Sequence, residues 1–95
     1  MEFLNRANEN AYEMINAGHY KQAVLQLKEA IQTLEYLANK GMVIDRNMIV
    51  VILYNIACAY QGLWILEKCA KYIDGVNYNI EKSLQEDEHI KGNAQ

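Results

Sequence analysis

Apolar and small residues recur at Leu4, Ala7, Ala11, Met14 and Ile15, the three-and-four spacing of an amphipathic helix, so residues 3–17 read as a first helix. Gly18 stops it, because glycine readily takes the left-handed conformation that closes a helix, and His19-Tyr20 leads directly into the next helical pattern. That second helix carries Ala23, Leu27, Ala30, Ile31, Leu34, Leu37 and Ala38 toward a core and runs to Asn39-Lys40-Gly41, where a basic last turn and a glycine form a stop signal. The pattern predicts a tight helical hairpin over about residues 3–41.

Met42, Val43 and Ile44 form an apolar connector, and Asp45 is placed to cap a third helix by accepting from backbone N–H groups that have no partner in the first turn. Residues 48–60 are apolar almost all round, with Asn55 the clear polar break, which is the composition of a helix buried on several sides. The β-branched run at residues 49–52 resembles a strand locally, but no second strand-like run exists to pair with it. Gln61-Gly62 reads as the second turn, and a fourth helix follows with Leu66, Cys69, Ala70, Ile73 and Val76 on its apolar face. Asp74-Gly75 weakens that helix, yet the apolar repeat resumes at Ile80 and Leu84, so the expectation is continuation through the glycine. Beyond Gln85 the chain is polar and is expected to fray, giving a second hairpin over about residues 45–85, a domain over about 1–88 and a flexible tail at 89–95.

The two hairpins repeat each other at an offset of about 46 residues, in the range of helical arrays. Ala11 answers to Ala57, Met14 to Tyr60, Tyr20 to Leu66, Ala23 to Cys69, Leu27 to Ile73 and Ala30 to Val76. Hairpins that cannot bury their apolar faces alone do so by stacking, and the surfaces that result hold other proteins rather than small substrates. Composition agrees with an all-α class: hydrophobic residues make up 52% of the chain and proline is absent, so there is apolar surface for a core and no proline to interrupt helices. The net charge of −3, with both signs interspersed, gives no basic stripe for a phosphate backbone, and nucleic acid is not an expected partner. Asp45, Arg46 and Asn47 interrupt the longest apolar region, so no membrane partner is expected either. The first residues lack the layout of a secretory signal, which gives the expectation of a cytoplasmic address, and Cys58 and Cys69 read as structural thiols in apolar settings.

Residues 53–61, Leu-Tyr-Asn-Ile-Ala-Cys-Ala-Tyr-Gln, resemble the first helix of a tetratricopeptide repeat, and residues 18–23, Gly-His-Tyr-Lys-Gln-Ala, resemble that family's turn into its second helix. The resemblance covers roughly residues 4–38 and 50–84 and implies four helices in two stacked antiparallel hairpins. Small residues at Ala11, Ala57, Ala23 and Cys69 would let paired helices approach, and Met14, Tyr60, Leu27 and Ile73 would fill the interface. The unit here is longer than the family's usual length of about 34 residues, the proline that typically follows the second helix is missing, and two copies fall short of the three that usually make an independent array. A longer array, a capping helix from the C-terminal region or self-association would each supply the missing contacts.

In such arrays the first helix of each hairpin lines a groove, and the matching positions are Asn5, Asn8, Tyr12 and Ile15, then Val51, Tyr54, Asn55, Cys58 and Gln61. Asparagines can hydrogen-bond a bound backbone, and tyrosines supply broad contact area at low entropy cost. The same positions also suit a core between hairpins, Val51 and Cys58 above all. Asn55 matches one member of the basic clamp with which some tetratricopeptide domains grip a chaperone's terminal carboxylate, but the basic positions are not filled, so that partner is not expected. Trp64 is either an exposed anchor or a cap on a helix junction. His19, His89, Cys58 and Cys69 lack metal-site spacing, and no phosphate-cradling loop, nucleophile elbow or base–nucleophile pair is present, so no cofactor, metal or catalysis is expected. The leading expectation is a scaffold that binds a partner helix or peptide, in cytoskeletal, ciliary or regulatory assemblies. The alternative is a homodimerisation domain in which the apolar third helix and the connector Met42 to Ile44 bury against a second copy, and a four-helix bundle around a ligand cavity is disfavoured by the small–small matches.

Overall fold

The computed structural model describes the backbone of residues 2–93 and the side chains of residues 2–86. The chain folds into four helices, α1 (Glu2–Asn16), α2 (Tyr20–Asn39), α3 (Arg46–Gly62) and α4 (Leu66–Asn93), with no strand among the described residues. The all-α class and the paired hairpins expected from the pattern are therefore present. Residues 49–52 are helical: the helix satisfies its own backbone, whereas a lone strand would leave its backbone groups unpaired.

Helix α3 is the hub. It packs against α1, α2 and α4, whereas the backbone of α4 does not come alongside α1 or α2 among the described residues. This explains the apolar composition of α3: Ile52, Ile56, Ala57, Ala59 and Tyr60 are all buried in it, on several sides of one helix. All but Ala57 meet Leu4 and Ala11 from α1 and Ala23, Leu27, Ala30 and Leu34 from α2 in one continuous core. The repeat is visible in burial, since the equivalent alanines Ala11 and Ala57 are both buried, as are Ala30 and its counterpart Val76. Fully burying Ile52 and Ile56 contributes about 1.5–3 kcal/mol each.

The turns obey one rule. Behind α1, α2 and α3 a residue of positive φ is followed by a backbone N–H that reaches back five residues: His19 to the Met14 carbonyl at 2.7 Å, Met42 to Leu37 at 3.1 Å and Ile65 to Tyr60 at 3.0 Å. This closure satisfies carbonyls that the helix end leaves unpaired. Gly18 (φ 82°) and Gly41 (φ 90°) hold the first two turns, as their type allows, but Trp64 (φ 60°) holds the third. The expectation of a turn at Gln61-Gly62 is thus corrected: both residues are helical, and the turn falls at Trp64, the position the repeat assigns as equivalent to Gly18. Gly62 has another use, because a Cβ there would overlap the ring of Tyr20. Gly75 is likewise a packing glycine, with Leu53 Cδ1 at 3.3 Å from where its Cβ would stand, and α4 runs through it unbroken.

Asp45 caps α3 as expected: its Oδ1 accepts from the Asn47 N–H at 2.9 Å. The next residue, Arg46, ties α3 to α4. Its guanidinium donates through Nε and Nη2 to Glu86 at 3.2 and 2.9 Å and through Nη1 to Asn79 Oδ1 at 3.0 Å, while Asn79 Nδ2 donates to the Gly75 carbonyl at 2.8 Å. The polar segment after Gln85 therefore has an attachment that its composition does not reveal, and α4 stays helical to Asn93 instead of ending near residue 85. The side chains of 87–95, which include the expected tail at 89–95, lie outside the described residues, and so does the backbone of 94 and 95. Deeper along α3, Tyr60 stacks on Tyr72 of α4 with centroids 5.6 Å apart, and the Lys28 and Lys68 ammonium groups stand over its ring at 5.7 and 5.4 Å. The Tyr60 hydroxyl, by hydrogen bond and then by charge, raises the pKa of Lys28 above its usual 10.5.

Two substitutions separate the roles of Gly62 and Trp64. Replacing a helical glycine by alanine ordinarily stabilises by up to about 1 kcal/mol. Gly62→Ala is expected to destabilise instead, by about 1 kcal/mol, because the Tyr20 ring must move, and to become stabilising in a Tyr20→Ala background. Trp64→Gly is expected to stabilise by about 1 kcal/mol by relieving the left-handed backbone of a largely exposed residue. Urea unfolding of Gly62→Ala, Tyr20→Ala, their double variant, Trp64→Gly and the wild type checks both signs.

Candidate functional site

On α1 the positions Asn5, Asn8, Tyr12 and Ile15 follow three-and-four spacing and so share one side of the helix, as do Val51, Tyr54, Asn55, Cys58 and Gln61 on α3. Contact between α1 and α3 sets the two rows beside each other. The direct link is Asn55, whose Nδ2 donates to Asn8 Oδ1 at 3.4 Å. Toward the N-terminal ends of the two helices, Asn5, Asn8 and Val51 line a cleft of about 320 Å³ together with Glu9, Asn47 and Met48.

The expected residues divide by surroundings. Tyr12 and Tyr54 project, 60% and 54% exposed, and Asn5, Val51 and Gln61 are exposed too. Ile15 packs partly against the core, so its side chain is shared between face and interior. Cys58 is half-buried one turn from Tyr54, and Asn8 and Asn55 are half-buried where the helices meet. Glu9, Asn47 and Met48 were not singled out by the pattern. Asn47 and Met48 precede Val51 by one helical turn and could have been found by that spacing, whereas Glu9 is placed by how α1 lies against α3.

The charge of Cys58, followed by a hydrogen bond between the two side chains, raises the pKa of the Tyr54 phenol above 10.0. The physical cause is that a thiolate beside the ring opposes a second negative charge. The Tyr54 hydroxyl is able to donate and accept a hydrogen bond beside a broad aromatic surface.

Elsewhere, Trp64 is 82% exposed at the α3–α4 turn, which removes the reading of it as a junction cap. An apolar cleft of about 310 Å³ lies between α2, the connector and α3, walled by Ile31, Leu34, Ala38, Ile44, Ile49 and Leu53. Its lining lacks α1 and α4, so it is a surface cleft and not a void on which four helices converge. Among the described residues no group of three or more His, Cys, Asp or Glu side chains is placed to hold a metal ion, and no helix is long and apolar enough to cross a membrane. The two cysteines are free thiols on different helices.

The architecture defines a class, an all-α stack of two helical hairpins with a polar and aromatic face along their first helices. Comparison with family models, with curated proteins and with solved structures gives no match.

The Tyr54–Cys58 pair supplies a test of the face's local geometry. Cys58→Ala is expected to lower the Tyr54 pKa toward 10.0, read by NMR from the titration of its ring carbon. An unchanged titration would show that the two side chains do not meet in solution.

Proposed function

We propose that this chain is a non-catalytic scaffolding module that binds a helix or extended peptide of a partner protein along the face formed by α1 and α3. The observation that carries the reading is the alignment of the two helices' polar and aromatic rows, joined through Asn8 and Asn55, with Tyr12 and Tyr54 projecting from it. Exposed tyrosines are anchors of the kind that dominate interfaces, and half-buried asparagines can pair with a bound backbone. The reading includes the tetratricopeptide-like character of the hairpins, a protein or peptide partner rather than nucleic acid, no cofactor and a cytoplasmic setting. Terminal-carboxylate capture is not part of it, because the Asn55 amide is engaged with Asn8 and the surrounding face supplies no basic clamp.

The alternative, homodimerisation through the apolar third helix and the connector Met42 to Ile44, keeps support only in the connector, where Met42 and Val43 are exposed. Three neighbouring helices take up the apolar surface of α3 within one chain, and of its large apolar side chains only Val51 and Tyr54 remain exposed.

The test is selection of peptides from a random displayed library on the immobilised protein. Selected peptides are expected to shift amide resonances of α1 and α3, and Tyr54→Ala is expected to weaken them about tenfold or more while helicity stays unchanged. Absence of enrichment, or shifts confined to other helices, would refute the reading. Loss of helicity in step with binding would show that Tyr54 belongs to the core.

A further inference from the structure

The internal repeat says which surface of this molecule lacks a neighbour. On α2, Tyr20, Leu27 and Leu34 form a row one heptad apart, and α3 covers it: Tyr20 lies on Gly62, and Leu34 shares a wall with Ile52 and Leu53. The equivalent row on α4 is Leu66, Ile73 and Ile80, extended by Leu84. Leu27 and Leu34 are buried, whereas on α4 Ile73 is half-buried and Leu66 is 60%, Ile80 43% and Leu84 58% exposed, because among the described residues no further helix stands beside α4 as α3 stands beside α2. Glu67, Asp74 and Glu81 follow the apolar row by one residue at the same spacing and border it with negative charge. All three are exposed, and none forms an ion pair among the described residues.

A second copy is a poor occupant. Stacked head to tail it would have to present α1 as α3 is presented, yet the α1 positions equivalent to Ile52, Ile56 and Gly62 are Arg6, Asn10 and Asn16, all exposed and polar. Paired antiparallel through α4, two copies would set their carboxylate rows side by side. We infer that the outer flank of α4 docks an amphipathic helix of another protein whose apolar stripe is bordered by lysine or arginine. The apolar row supplies the buried contact, and the carboxylates supply orientation and choice of partner. This surface is separate from the α1–α3 face and does not depend on it.

A three-heptad synthetic helix with leucines on its apolar stripe and lysines on both borders, labelled for fluorescence anisotropy, is the probe, and the same peptide with glutamates in place of lysines is its control. The lysine peptide is expected to bind in the micromolar range, to weaken as salt is raised and to bind at least about tenfold more tightly than the control. Ile80→Glu is expected to weaken the lysine peptide at least about tenfold. Because that change adds a negative charge, adhesion by charge alone would strengthen instead. Leu66→Glu repeats the test at the other end of the row, with circular dichroism confirming the fold, and Tyr54→Ala is expected to leave this binding unchanged. The inference is overturned by absence of binding, by equal binding of the two peptides, by loss on Tyr54→Ala in place of Ile80→Glu, or by a dimer in sedimentation that Ile80→Glu dissolves.

Discussion

Burial of α3 against three neighbours is the constraint on which the remaining structure depends. Its isoleucines at 52 and 56 contribute several kilocalories per mole between them, against roughly 1 kcal/mol for a helix cap and at most about that for an exposed ion pair. The Asp45 cap and the Arg46–Glu86 contact therefore set where α3 starts and how α4 lies on it, while apolar contact holds the molecule together. The position of Arg46 supports this ranking. A cation in the first turn of a helix opposes the macrodipole by about 0.3–1 kcal/mol, comparable to what a partly exposed ion pair returns. Arg46 contributes register more than stability, fixing the distal half of α4 through Glu86 and Asn79.

Much of this was legible in the sequence because apolar burial, the strongest of these contributions, leaves a periodic trace along the chain. The spacing of Leu4, Ala11, Ala23, Leu27 and Ile56 located the helices, and Gly18, Gly41 and Asp45 located their ends, since each acts through its own backbone or its immediate neighbours. The third turn was misread for a related reason. Glycine is the usual residue at a left-handed helix end, so Gly62 drew the turn two positions early, whereas the repeat pointed to Trp64. Gly62 is glycine because of Tyr20, a residue from the other hairpin, and no local rule reports that contact. The Arg46–Glu86 bond is equally non-local, and composition after Gln85 gave no sign of it.

The candidate site was less directly legible. The resemblance to tetratricopeptide hairpins, rather than periodicity, picked out the rows on α1 and α3, and contact between the two helices sets those rows beside each other. Spacing along one helix cannot say how far a side chain leans into its neighbour, so Ile15 proved to be partly core, and Glu9 entered the cleft through the packing of α1 on α3. Tyr54 and Tyr12 stay outside the core, while Asn8, Asn55 and Cys58 on the same rows are half-buried.

The two ends of the stack are chemically unequal, and the inequality follows from the repeat. Where α3 presents Ile52, Ile56 and Gly62 to its surroundings, α1 presents Arg6, Asn10 and Asn16, so water satisfies the outer side of α1 at no cost in buried polar groups. Where α2 hides Leu27 and Leu34, α4 leaves Ile80 and Leu84 open. Scattered exposed leucines are ordinary on any surface, but these recur at the positions that the first hairpin buries. A repeat that keeps apolar residues at an uncovered interface, while replacing them with polar ones at the opposite end, distinguishes a surface shaped for a neighbour from one shaped for water.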